Sequence, residues 1–139
     1  MPVSIEPINP KTVWAVPERF ASIYSHATAV RGAEALLFVS GQFGVDPSGV
    51  LPLSFLNQAE QALDNIASIL AAEGMGISNL VKLNYFLTNA EDAATLAEVR
   101  TRRWQGLQPP AVTVITVSAL ARPDYLVEIE AIAAKGRKE

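Results

Sequence analysis

The stretch that decides the fold is Tyr125-Leu126-Val127-Glu128-Ile129-Glu130-Ala131-Ile132-Ala133. Side chains alternate across a strand, so Val127, Ile129, Ala131 and Ala133 share one face, and Leu126, Glu128, Glu130 and Ile132 share the other. The first face is uniformly apolar and belongs beneath helices. The second mixes carboxylates with large aliphatics. That pattern is odd for a plain solvent face and suits a subunit interface with a polar cleft.

Upstream, the chain supplies the helices this strand needs. From Ser54 to Glu73, Phe55, Ala59, Leu63, Ile66 and Leu70 recur at three- and four-residue steps, which predicts a helix with one apolar face. Ser54 can cap its start and Gly74 can end it. Leu80–Leu87 reads as a strand, with Val81, Leu83, Tyr85 and Leu87 on one face and Lys82 and Asn84 on the other. Asn89 is an N-cap candidate for a second helix reaching about Gln105, stopped by Gly106 and Pro109-Pro110. Ala111–Val117, rich in β-branched residues, is another strand.

Before the first helix, residues 21–30 and Ala35–Gln42 read as two strands joined by a hairpin turn at Arg31-Gly32-Ala33-Glu34, with Gly32 free to take a positive φ. Residues 43–53 carry three turn signals and read as a loop. Residues up to about 20 read as an N-terminal extension, and 135–139 as a charged tail on a single domain spanning 1–139. The expected order is β-β-α-β-α-β-β: an α+β fold with one mixed sheet and two helices on one face.

Composition narrows the function. The 139 residues suffice for one domain that folds without disulfide or metal. Half are hydrophobic and 18% charged, unlike a disordered chain. The net charge of −3 and pI near 5.2 argue against a nucleic-acid partner. The basic cluster Arg100, Arg102 and Arg103 reads as a solvated helix face. With no cysteine and one histidine, His26, neither thiolate chemistry nor a metal site within one subunit is expected, and no cofactor. There is no signal-peptide pattern and no apolar run near the ~20 residues that span a bilayer, so a cytoplasmic location with no membrane partner is expected. His26, Trp14 and Trp104 read as structural residues, and Lys82 as facing solvent.

No general catalytic motif is present. Gly41-Gln42-Phe43-Gly44 lacks the Lys-Ser/Thr of a phosphate-binding loop. A series of short pieces does carry a resemblance: Tyr24-Ser25-His26-Ala27, Leu37-Phe38-Val39-Ser40-Gly41-Gln42, Gln58…Leu63-Asp64-Asn65, Val81-Lys82, Pro110-Ala111 and Glu128-Ile129-Glu130-Ala131-Ile132-Ala133. In this order and at these spacings they resemble the RidA/YjgF family of reactive-intermediate deaminases, also called endoribonuclease L-PSP-like, over about four-fifths of the chain.

The resemblance implies a chorismate-mutase-like subunit in a homotrimer, its sheets forming a central barrel with clefts between neighbours. It implies hydrolysis of enamines or imines, with a small-molecule metabolite as partner. Glu128 matches the glutamate that orients water, and Tyr24, Ser40 and Gly41 match substrate-binding positions, the last two as backbone donors. Two positions depart from the family: Val112 stands where a carboxylate-gripping arginine is expected, and Ala97 falls about where a helix asparagine is expected. Val112 and, two residues on, Val114 are therefore read as apolar contacts to the substrate, with Arg31, Arg102 or Arg122 as candidate replacements for the missing charge. Three functions remain open on sequence: a hydrolase or deaminase, a non-enzymatic metabolite-binding or protein-protecting trimer, and, against the acidic pI, a ribonuclease.

Overall fold

The computed structural model describes residues 3–137. Six strands and two helices follow one another as β1 Ser4–Ile8, β2 Ala27–Arg31, β3 Ala35–Gln42, α1 Phe55–Ala72, β4 Leu80–Leu87, α2 Ala93–Arg103, β5 Ala111–Thr116 and β6 Val127–Lys135. The fold is α+β, with two helices and a mixed sheet. Four strands form that sheet in the order β3-β6-β4-β5. β6 is antiparallel to both neighbours, and β4 and β5 are parallel, joined by a crossover through α2.

The central strand β6 behaves as its alternation dictates. Val127, Ile129, Ala131 and Ala133 are buried, while Glu128, Glu130 and Ile132 turn to the other face. Phe55, Ala59, Leu63, Ile66 and Leu70 of α1 pack on the buried face together with Leu83, Tyr85 and Leu87 of β4 and Leu96, Val99 and Trp104 from α2 and its end. Truncating a fully buried residue such as Ile129 to alanine would cost about 2–5 kcal/mol. Ser54 caps α1, its Oγ accepting from the Asn57 N–H at 3.1 Å. Asn89 caps a short 3-10 turn, Ala90–Asp92, that leads into α2.

Several sequence expectations change. Val81 does not join the buried face of β4. Leu80 pairs with Ala133 and Lys82 with Ile132, so Val81 is an extra residue that bulges out of register. The hairpin between β2 and β3 does not form, although Gly32 does take φ 73°. Instead β2 pairs with β1, which arises from the supposed N-terminal extension, to make a separate two-stranded ribbon. The early part of the expected strand over 21–30 is lost to turns, with Ile23 N–H donating to Phe20 O. Of the charged tail, Lys135 ends β6, and Lys138 and Glu139 lie outside the described residues.

The ribbon is fixed to the sheet at the start of β5. Ser25 bridges Ala111, its N–H donates to Pro110 O at 3.3 Å, and the Ala111 N–H donates to Thr28 Oγ1 at 2.8 Å. The four-stranded sheet keeps one face free of helices. Phe38 is 70% exposed there, with Leu36 on the same edge strand, and Ile115 is exposed on the opposite edge strand.

Candidate functional site

Sheet register sorts the candidate residues onto two faces. Glu128 pairs with Phe86, which pairs with Ile115, and this row lies on the open face. The next row, Ile129, Tyr85 and Val114, lies on the helix side. Glu128 and Val114 therefore project from opposite faces of the same sheet.

On the open face, β3 gains a residue relative to β6. Val39 pairs with Ala131 and Gln42 with Ile129, which takes Ser40-Gly41 out of the regular ladder. Gly41 lies against the Glu128 carboxylate, and a Cβ at that position would sit 2.6 Å from Glu128 Cδ. Only glycine allows this approach. Burial pushes the Glu128 pKa above the usual carboxylate value, and the charge of Glu130 adds to the shift. Glu130 is held by Asn84, whose Nδ2 donates to Oε1 at 2.9 Å. Lys82 does not simply face solvent: its Nζ donates to Thr113 Oγ1 at 2.8 Å. Phe38, Ser40, Lys82, Asn84, Glu130 and Ile132 line a shallow hollow of about 220 Å³.

The helix α1 braces the loops on either side of this cluster. Asn65 Nδ2 donates to Phe43 O and Val45 O, just past Gly41. Gln58 is buried. Its Nε2 donates to Pro52 O and Asp124 O, and its Oε1 accepts from the Leu126 N–H two residues before Glu128.

Tyr24, Val112 and Val114 meet elsewhere, at the β5 edge, in a cavity of about 440 Å³ whose walls also include Trp14, Phe20 and Arg100. His26 holds the N-terminal segment against it. Its Nε2 lies 2.6 Å from Trp14 O, and a carbonyl can only accept, so Nε2 carries the proton. Nδ1 then accepts from the Tyr24 hydroxyl at 3.1 Å. Both ring nitrogens are engaged, as a structural role for His26 requires.

Two tryptophan and arginine expectations need correction. Trp104 is core, but Trp14 is 67% exposed and forms a cavity wall, because the segment before the first turn lies over the sheet edge rather than in it. The cluster Arg100, Arg102 and Arg103 is not one solvated face. Arg100 is buried, with Nη2 donating to Ile23 O at 2.8 Å and Cζ 5.0 Å from the Tyr85 ring centre. Burial lowers its pKa and drives that of Tyr85 up to about 12. Arg103 reaches back to Asp64 and Glu60 of α1. The signal for Arg100 was in the sequence: it lies four residues after Leu96 and one after Val99, on the core-facing stripe of α2.

The three arginines read as candidate replacements for the missing charge lie outside the Val112 cavity of their own subunit. Arg31 pairs with Glu6, Arg102 with Glu60 and Arg122 with Asp124, and none lines the cavity. Ala97, at the expected asparagine position, lines a neighbouring hollow between α2 and Arg19-Phe20. Among the described residues, no group of three His, Cys, Asp or Glu could hold a metal ion, and no helix is long and apolar enough to cross a membrane.

Comparison with known proteins agrees with this architecture. Residues 17–135 match the family described as Endoribonuclease L-PSP. The chain is 38% identical over 115 residues to the 2-iminobutanoate/2-iminopropanoate deaminase of Mus musculus, covering 81% of this chain and 82% of that protein. Its fold superposes on YyfB, a conserved Rid family protein of Yersinia pestis, with TM-score 0.83 at 29% identity, covering 94% and 98% of the two chains. It also matches E. coli TdcF with bound serine, with TM-score 0.68 at 31% identity over 80% and 87% of the chains. The matched family, the iminoacid deaminase relative and the shared α+β subunit together establish that this chain belongs to the RidA/YjgF (endoribonuclease L-PSP) family.

Proposed function

We propose that the protein is a small-molecule deaminase that hydrolyses an imine, or the enamine that tautomerises to it, in a cleft shared between subunits of a homotrimer. The observation that carries this reading is the Glu128 carboxylate seated against Gly41 on the open sheet face, with its pKa raised by burial. Water adds across the C=N bond while Glu128 takes one of its protons. The proton passes to nitrogen, the carbinolamine collapses, and ammonia leaves a carbonyl compound. A carboxylate whose pKa is moved toward neutrality suits this exchange. The Ser40-Gly41 bulge offers backbone N–H groups beside the reacting carbon.

Glu128 and the Tyr24–Val112–Val114 cavity lie on opposite faces of one sheet, so a complete site needs the open face of one subunit set against the cavity edge of another. The exposed Leu36, Phe38 and Ile115 favour such an assembly, since large apolar patches rarely stay in water. The deaminase names of relatives and the serine bound to TdcF support an amino-acid-derived substrate. Val112 in place of the family arginine weighs against turnover of ordinary α-imino acids and keeps a second reading in play, a non-enzymatic metabolite-binding trimer.

The test is Glu128→Gln, assayed by ammonia release from freshly generated imines and enamines. Loss of turnover with assembly intact supports the deaminase. An active variant moves catalysis elsewhere, and wild-type protein that binds but never turns over any of them favours the second reading.

A further inference from the structure

Arg100 stands apart from the other arginines. Arg31, Arg102, Arg103, Arg122 and Arg137 each have a carboxylate within 4.0 Å, and Arg19 is exposed. Arg100 is only 7% exposed, and among the described residues it has no carboxylate partner. Its contacts are one well-formed hydrogen bond to Ile23 O and the face of the Tyr85 ring. A guanidinium has five donors, and a buried charge is normally paired. This one borders the cavity of Val112 and Val114, where no acidic side chain lines the wall.

We infer that Arg100 is the anion anchor of this cavity, and that the cavity takes a monocarboxylate whose other end is aromatic or branched aliphatic. Trp14, Phe20, Tyr24, Val112 and Val114 supply apolar walls for that end. The guanidinium supplies a directional pair of donors for the carboxylate, approached from α2 rather than from β5. The inference deepens the proposed function, since it names the substrate class of the same site, but it concerns binding and is tested without turnover.

Isothermal titration calorimetry would compare phenylpyruvate with phenylacetone, which carries a methyl group in place of the carboxylate. Wild-type protein is expected to bind phenylpyruvate at least ten-fold more tightly. Arg100→Met keeps the buried stem and removes the charge, and should erase that preference. Val114→Glu provides an independent arm if the methionine variant misfolds: it places a carboxylate in the cavity wall, leaves Arg100 in place, and should likewise lower phenylpyruvate affinity at least ten-fold. Arg19→Gln, at the rim, should retain it. Equal affinity for the two probes, no phenylpyruvate binding, or loss in Arg19→Gln with retention in Val114→Glu would each overturn the assignment. A charge-dependent phenylpyruvate site in a protein whose Glu128→Gln variant still turns over imine would sink the proposed mechanism and leave Arg100 standing. Loss of turnover in Glu128→Gln with equal probe affinities would do the reverse.

Discussion

Glu128 occupies the space that a side chain at Gly41 would need. A Cβ there would lie 2.6 Å from Glu128 Cδ and 2.9 Å from Cγ, closer than real contacts allow. The two residues come from adjacent strands, β3 and β6, and the bulge at Ser40-Gly41 brings the backbone to the carboxylate. Gly41→Ala should therefore push Glu128 out of position. The expected outcome is a fall of about 10²-fold or more in imine hydrolysis, the size typical of a misplaced acid–base group, while the far-ultraviolet circular dichroism spectrum is retained. Unchanged activity would show that the carboxylate acts from another position.

The pH dependence follows from the direction of the Glu128 shift. Burial first, and the charge of Glu130 second, hold its proton more tightly than in a free carboxylate. Since the ionised form is the base, the acid limb of the rate profile should lie above the ordinary glutamate value of about 4.3. Glu130→Gln removes the second cause and should move that limb to lower pH. The stability sign is opposite to that of a salt-bridged carboxylate. Because the folded pKa is raised, the contribution of Glu128 is present below the unfolded value and is lost as pH rises through the folded value. Glu128→Gln should therefore gain stability relative to the parent as pH rises above the ordinary glutamate value of about 4.3, read by urea denaturation.

Gln58 tests how the site is braced. It makes three hydrogen bonds from a buried position, tying α1 to Pro52, Asp124 and Leu126. Gln58→Leu keeps the volume approximately but strands three backbone groups, at an expected cost of about 3 kcal/mol. A drop in the urea midpoint without a change in slope would confirm it. A near-neutral effect would mean that water replaces the amide.

Assembly is tested at Phe38, which is 70% exposed in the subunit. Light scattering of the parent protein at micromolar concentration should give three times the 14.9 kDa subunit mass. Phe38→Asp places a charge on the proposed interface and should yield monomers that retain their helical content. A monomeric parent would remove the shared cleft.

What the sequence determined was local. The alternation of Val127–Ala133 sets which side chains are buried, the periodicity of Phe55–Leu70 sets the first helix and its face, and Ser54 sets its start. These follow from side-chain direction within one element, which needs no knowledge of the rest of the chain. Family resemblance then pointed to Glu128, Gly41, Tyr24 and Val112. What only the tertiary structure decided was pairing between distant segments. The N-terminal residues 4–8 claim β2, so the expected hairpin is lost. Val81 bulges because β6 offers one partner fewer. Glu128 and Val112 part onto opposite faces because neighbouring strands share a pleat. Arg100 enters the Val112 cavity because α2, more than seventy residues after Tyr24 in the chain, is packed over it by the β4–α2–β5 crossover. Each of these depends on which backbone groups find which partners across the chain, and no short-range pattern encodes that choice.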